Sequence, residues 1–253
     1  MKIKGINIGF HASLWEGRIR DAVNDLSSAG FQNTELFGEN VVQLSEFEIK
    51  MLNLDKMTAN VSFSSVFFGG DFGEKHKRHY FAEGTKIICE EALSKLEIPH
   101  IIFGGGETKE NKPEEIEEMA ETINRCAQNA ERFKIKVSVQ PQQERLIHEK
   151  ETIDKFVSLI ETDLVGLCLD VGHTKMAGID FKELFLKYKD LVNFIHLTDV
   201  DKDGEFCEFG KGEIDFKDVL KFLIDQKYKG TAIICDLDKG NTKNASEYIK
   251  GLL

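Results

Sequence analysis

Apolar residues along this chain follow two alternating periods. Short runs rich in β-branched and aromatic residues recur at 2–9 (KIKGINIG), 31–37 (FQNTELF), 60–67 (NVSFSSVF), 100–105 (HIIFGG), 136–140 (KVSVQ), 164–170 (LVGLCLD), 192–197 (VNFIHL) and 231–236 (TAIICD). Bounded by glycine or charge, they read as buried parallel strands. Between them apolar positions return every three to four residues, as helices require: Ile19, Ala22, Val23 and Leu26; Ile116, Met119, Ala120 and Ile123; Ile153, Phe156, Val157 and Ile160; Phe181, Leu184, Phe185 and Tyr188; Phe216, Val219, Leu220 and Leu223. Asp180 with Glu183 makes a capping-box pattern, Asp215 is placed to cap the next helix, and Pro113 suits a first turn. Gly30 and Gly230 are expected to stop the helices before them.

Eight strand–helix units of roughly 30 residues are the pattern of a (β/α)8 TIM barrel. The absence of GxGxxG after the first run argues against a dinucleotide-binding open sheet. With three prolines and no Gly- or Ser-rich linker, residues 1–253 read as one domain.

Charge narrows the partners. Lys plus Arg number 33 against 44 Asp plus Glu, a net charge of -11, which opposes nucleic acid as a partner. No run has the roughly 18 apolar residues of a membrane span, and the N-terminal stretch lacks the apolar core of a signal peptide. Five scattered cysteines without CxxC spacing fit a reducing, cytoplasmic setting. Cys168 and Cys235, inside strands, read as small core residues.

In a parallel barrel the site forms where strands end and βα loops begin. Those ends carry His11, Glu35, Gln140, Asp170 with His173, His196 with Asp199, and Asp236. A carboxylate ending LVGLCL, or a histidine inside NFIHL, loses water on burial and needs a partner or a metal. Asp170, His196 and Asp236 come from three successive strands, and oxygen and imidazole ligands suit Mn2+, Mg2+, Co2+ or Zn2+. His11 and Trp15, in the first βα loop, are candidates to wall a pocket; Trp15 serves equally well as core cover. The triple glycine 104–106 reads as a tight turn rather than a phosphate cradle, since no Lys-Ser/Thr follows.

GLCLDVGHTKMAG (166–178) resembles the Asp-x-Gly-His segment of the xylose isomerase-like TIM barrels. NFIHLTDVDKDGEFCEFGKGEIDF (193–216) is similar to that family's His-x-x-Asp strand and its Gly-x-Gly-x-x-Asp-Phe loop. KYKGTAIICD (227–236) resembles its approach to strand 8, and Ala29-Gly30-Phe31 with Glu35 its entry to strand 2. The resemblance implies a sugar or sugar-phosphate isomerase or epimerase, or an inosose-type dehydratase. It also implies one divalent metal held by a Glu, an Asp, a His and a Glu on strands 5 to 8, positions carried onto Gln140, Asp170, His196 and Asp236. Asp236, Glu35 and His173 are then the expected acid–base groups, and His11, Trp15 and His173 the substrate contacts. Gln140 cannot take a proton, so a two-carboxylate epimerisation is not expected, whereas a one-base isomerisation or a dehydration is. A metal-free barrel that only binds a carbohydrate is the alternative. The DNA-repair branch of the family needs further histidines where SFSS, FGGG and GEFCEF stand. The family allows a homodimer.

Overall fold

A computed structural model describes residues 1–70, 75–107 and 113–252. Its frame is eight parallel strands: β1 (Ile6–His11), β2 (Asn33–Phe37), β3 (Ser62–Phe68), β4 (His100–Phe103), β5 (Lys136–Val139), β6 (Val165–Asp170), β7 (Val192–Val200) and β8 (Thr231–Cys235). Each pairs with its successor, and β1 pairs both β2 and β8, which closes the ring into the expected (β/α)8 barrel. The first run is shorter than its apolar pattern suggests. Lys4 (φ 48) and Gly5 (φ 104) turn residues 2–3 back as an antiparallel flap on β1. Among the described residues no helix is long and apolar enough to cross a membrane.

The helices bury the stripes that mark them in sequence: Ile19, Ala22, Val23 and Leu26 in Ile19–Ser28, and Phe216, Val219, Leu220 and Leu223 in Phe216–Asp225. Asp180 and Asp215 accept the N–H groups of Glu183 and Asp218 as caps. Gly30 (φ 88) ends its helix as expected. Gly230 does not end the helix before it. Lys227 (φ 59) takes the left-handed turn there, and Gly230 is needed where a Cβ would meet the Tyr228 ring at 2.4 Å. Helix Glu46–Ala59 escapes the periodicity reading because it buries only Ile49, Leu52 and the Lys56 stem; its signal is local, a Ser45–Glu48 capping box.

Two apolar layers result. The larger lies between strands and helices. The smaller plugs the barrel itself and consists of Ile102, Cys168, Phe194 and Ile233, with Phe67 and Cys235 packed on it. Below this plug His100 Nε2 meets Ser138 Oγ at 2.8 Å, and Asn193 Nδ2 donates to the same hydroxyl at 3.3 Å. Side chains two apart on a strand share a face. The plug residues therefore dictate what reaches the barrel mouth one step later: Asp170 after Cys168, His196 after Phe194, and Cys235 after Ile233.

Candidate active site

A cavity of about 240 Å³ opens at the C-terminal ends of the strands. Glu35, Asp170, His173 and His196 line it, and Phe37, Phe67 and Phe206 give it apolar walls. The Phe37 and Phe67 rings stack at 6.2 Å and 18°.

Asp170 is fixed by the sequence around it. The chain leaves β6 straight into helix Val171–Met176, and Asp170 Oδ1 accepts from Gly172 N–H at 2.8 Å and His173 N–H at 2.9 Å. A Cβ on Gly172 would meet the Thr198 carbonyl oxygen at 2.8 Å, so the close approach of this turn to β7 needs glycine. Oδ2 accepts from Thr198 Oγ1 at 2.5 Å and from Gln140 Nε2 at 3.2 Å.

Across the mouth, Glu35 Oε2 accepts from Ser65 Oγ at 2.8 Å and lies 3.2 Å from His196 Nε2, both side chains out of solvent. Burial opposes a charge on His196. The Glu35 carboxylate, 3.2 Å away, outweighs it and holds the imidazole above its usual pKa. Its Nε2–H therefore donates to Glu35. His173 behaves oppositely, since burial lowers its pKa. Its Nδ1 accepts from Gln143 N–H at 3.2 Å, which leaves the proton of the neutral ring on Nε2. Phe206 packs edge-on against it at 4.9 Å.

Two expected positions stand apart from the others. Asp236 lines the same cavity as Asp170 and His196 but is not in the cluster of ligand atoms they form with Cys235. Its Oδ1 accepts from Leu237 N–H at 2.7 Å and Asp238 N–H at 3.3 Å, and its Oδ2 accepts from Asn241 Nδ2 at 2.8 Å. The residue that converges with Asp170 and His196 is Cys235: one ligand atom from each of the three lies within 4.8 Å of the others. The apolar run TAIIC has no polar alternation, so the inward parity of Cys235 is invisible in sequence. Trp15 is absent from the cavity lining. It is 1% exposed, edge-on to Phe10, with Nε1 donating to Asp25 Oδ2 at 2.8 Å, so the indole is core cover whose N–H is satisfied inside.

His11 lines the cavity with both ring nitrogens engaged, Nδ1 with Ser13 Oγ at 2.7 Å and Nε2 with the Asp236 carbonyl at 2.8 Å. It thereby ties β1 to the end of β8. Asp199, fully buried, accepts N–H groups from Val200, Gly210, Gly212 and Ile214 and so pins the β7–helix loop. The triple glycine is a turn: Gly104 and Gly105 N–H donate to Phe68 O and Gln142 Oε1. Ser65 and Thr198, which orient Glu35 and Asp170, were not among the expected site residues. An uncharged hydroxyl inside a strand carries no signal until its neighbours across the sheet are known.

The donor set is compatible with a divalent cation. Asp170, His196 and Cys235 offer oxygen, nitrogen and sulfur, with the Gln140 amide alongside.

Residues 23–252 match the xylose isomerase-like TIM barrel family. The chain is 27% identical to the inosose dehydratase of Clostridium perfringens over 249 residues, covering 87% of this chain and 82% of the relative. It is 26% identical to that of Clostridium botulinum over 268 residues, covering 93% and 88%. The crystal structure of D-psicose 3-epimerase from Clostridium cellulolyticum H10, solved with D-tagatose, superposes with a TM-score of 0.85 at 14% identity over 98% of both chains. With its closed barrel, its mouth residues on β2 and β5 to β8, and a family match over nearly its whole length, the chain belongs to the xylose isomerase-like TIM barrel family.

Proposed function

We propose that this protein is an enzyme acting on a sugar or a related polyhydroxylated ring ketone, removing water from it or shifting its carbonyl. The observation that carries this reading is the buried Glu35–His196 pair, 3.2 Å apart, on the wall of an aromatic-lined cavity. A carboxylate held there, away from water, is a base aimed into a space that fits one small ring. The inosose dehydratase relatives favour dehydration within this class.

Glu35 takes the proton from the carbon next to the carbonyl, while Ser65 fixes the orientation of its carboxylate. His173, neutral and protonated on Nε2, donates toward the departing hydroxyl in a dehydration, or toward the neighbouring oxygen in an isomerisation. Phe37, Phe67 and Phe206 cover the C–H face of the ring and exclude water. A divalent cation held by Asp170, His196 and Cys235 would polarise the carbonyl oxygen and lower the cost of the developing negative charge.

The test is solvent deuterium incorporation. Inososes, ketoses and ketose phosphates incubated with the protein in D2O and followed by proton NMR should exchange the hydrogen beside the carbonyl in at least one case, and Glu35→Gln should abolish the exchange. Exchange that survives in Glu35→Gln removes Glu35 as the base. Saturable binding without exchange or turnover for any of these compounds would favour a non-catalytic carbohydrate-binding barrel. One observation favours that second reading: Asp170 already accepts four hydrogen bonds from its own chain.

A further inference from the structure

The resemblance calls for carboxylates at the ends of strands 5 and 8. The barrel presents the Gln140 amide and the Cys235 sulfur there instead. Cys235 reaches the mouth because it follows Ile233 on the inward face of β8, and Ile233 sits in the plug beside Cys168 and Phe194. His196 pairs with Asp170 across β6 and β7, and Cys235 pairs with Thr198 across β7 and β8; one ligand atom each of Asp170, His196 and Cys235 lies within 4.8 Å of the others.

We propose that Asp170, His196 and Cys235 form a cation site whose thiolate selects a borderline-soft ion, Zn2+ or Co2+, over Mg2+ and Mn2+. Three protein ligands of mixed oxygen, nitrogen and sulfur character, opening on a cavity, match a zinc site that keeps its fourth position for water or substrate. Mg2+ and Mn2+ prefer shells of oxygen, and a sulfur in place of a carboxylate costs them most. When the cation enters, the S–H bond of Cys235 breaks and its proton leaves to solvent as the sulfur–metal bond forms. The proton between His196 and Glu35 is likewise given up, freeing the imidazole lone pair. Gln140 needs only an end-for-end turn of its amide to present oxygen in place of the nitrogen that now donates to Asp170.

The inference rests on reading the mouth as the active site, but its test reads metal and sulfur rather than turnover. Reduced, chelator-treated protein is titrated with Co2+ and followed by absorption. The expected result is one equivalent per chain with a sulfur-to-cobalt charge-transfer band in the near ultraviolet, displaced by an equivalent of Zn2+ and not by millimolar Mg2+. Cys235→Ser should erase the band and weaken binding by more than roughly tenfold, a loss that even outer-sphere partners cause. Cys168→Ser should leave the band in place. A band that follows Cys168, Co2+ bound without sulfur absorption, equal displacement by Mg2+, or no binding by a folded wild-type protein would each overturn the assignment. If catalysis fails while the band appears, the functional reading falls and the metal site stands.

Discussion

Glu35 and His196, far apart in sequence, meet at 3.2 Å across the barrel mouth with both side chains 3 to 4% exposed. Neither has enough water around it to hold a charge alone, so each is the other's solvent. Glu35→Ala should therefore destabilise the protein by about 3 to 5 kcal/mol, because it strands a buried imidazolium and the Ser65 hydroxyl. Glu35→Gln keeps an acceptor for both and should cost less than about 2 kcal/mol. Urea unfolding of the two variants against wild type measures the difference.

Gln140→Glu sets a second carboxylate where Nε2 now donates to Asp170 Oδ2 at 3.2 Å. Like charges at that distance resist joint ionisation. In chelator the variant should melt lower by several degrees, on the order of 2 kcal/mol. Added divalent cation should raise its melting temperature more than that of wild type. A variant indifferent to cations would argue against metal at this mouth.

Asp199 holds the 200–214 loop through the N–H groups of Val200, Gly210, Gly212 and Ile214. Asp199→Ala leaves these donors without their charged acceptor and should cost about 3 kcal/mol. It should also make the chain cleavable by trypsin at Lys202 or Lys211. Gly212→Ala should reproduce the effect, since its Cβ would meet Asp199 Oδ1 at 2.3 Å and the Val200 carbonyl oxygen at 2.5 Å. Limited proteolysis followed by mass spectrometry checks both.

His100, in the floor of the barrel, is lowered to a pKa of about 3, first by burial and then by Lys136. The folded chain keeps it neutral while the unfolded chain protonates it below its ordinary value near ~6.5. Stability from this residue is thus present above that value and is lost as pH falls from there toward 3. His100→Gln removes the titration. It should weaken the protein at pH 7 by losing the fit to Ser138, yet its deficit should narrow as pH falls to about 4. Parallel denaturation curves at the two pH values report the change.

Much of the fold was legible in the chain. Unbroken apolar runs separated by 3.6-residue stripes announce strands and helices, because a parallel barrel buries both faces of every strand and one face of every helix. Asp170, His196 and Glu35 stood out because charge at the end of an apolar run demands a partner. What the run could not announce is parity. In TAIICD nothing polar alternates, so charge alone pointed to Asp236 for the metal and left Cys235 as a core residue, until the plug of Ile102, Cys168, Phe194 and Ile233 set the thiol beside Asp170 and His196.

Local rules left Trp15 open between pocket wall and core cover, and its neighbours in space, Phe10 and Asp25, decided for the core. The sequence by itself determined the order and number of the barrel units and the charged residues available to the site, since both depend on short-range periodicity and on the cost of burying charge. The tertiary structure alone decided which side chains converge, that Asp236 is turned toward Asn241, and that a thiol stands beside Asp170 and His196. Convergence depends on register across strands tens of residues apart, and no local pattern encodes it.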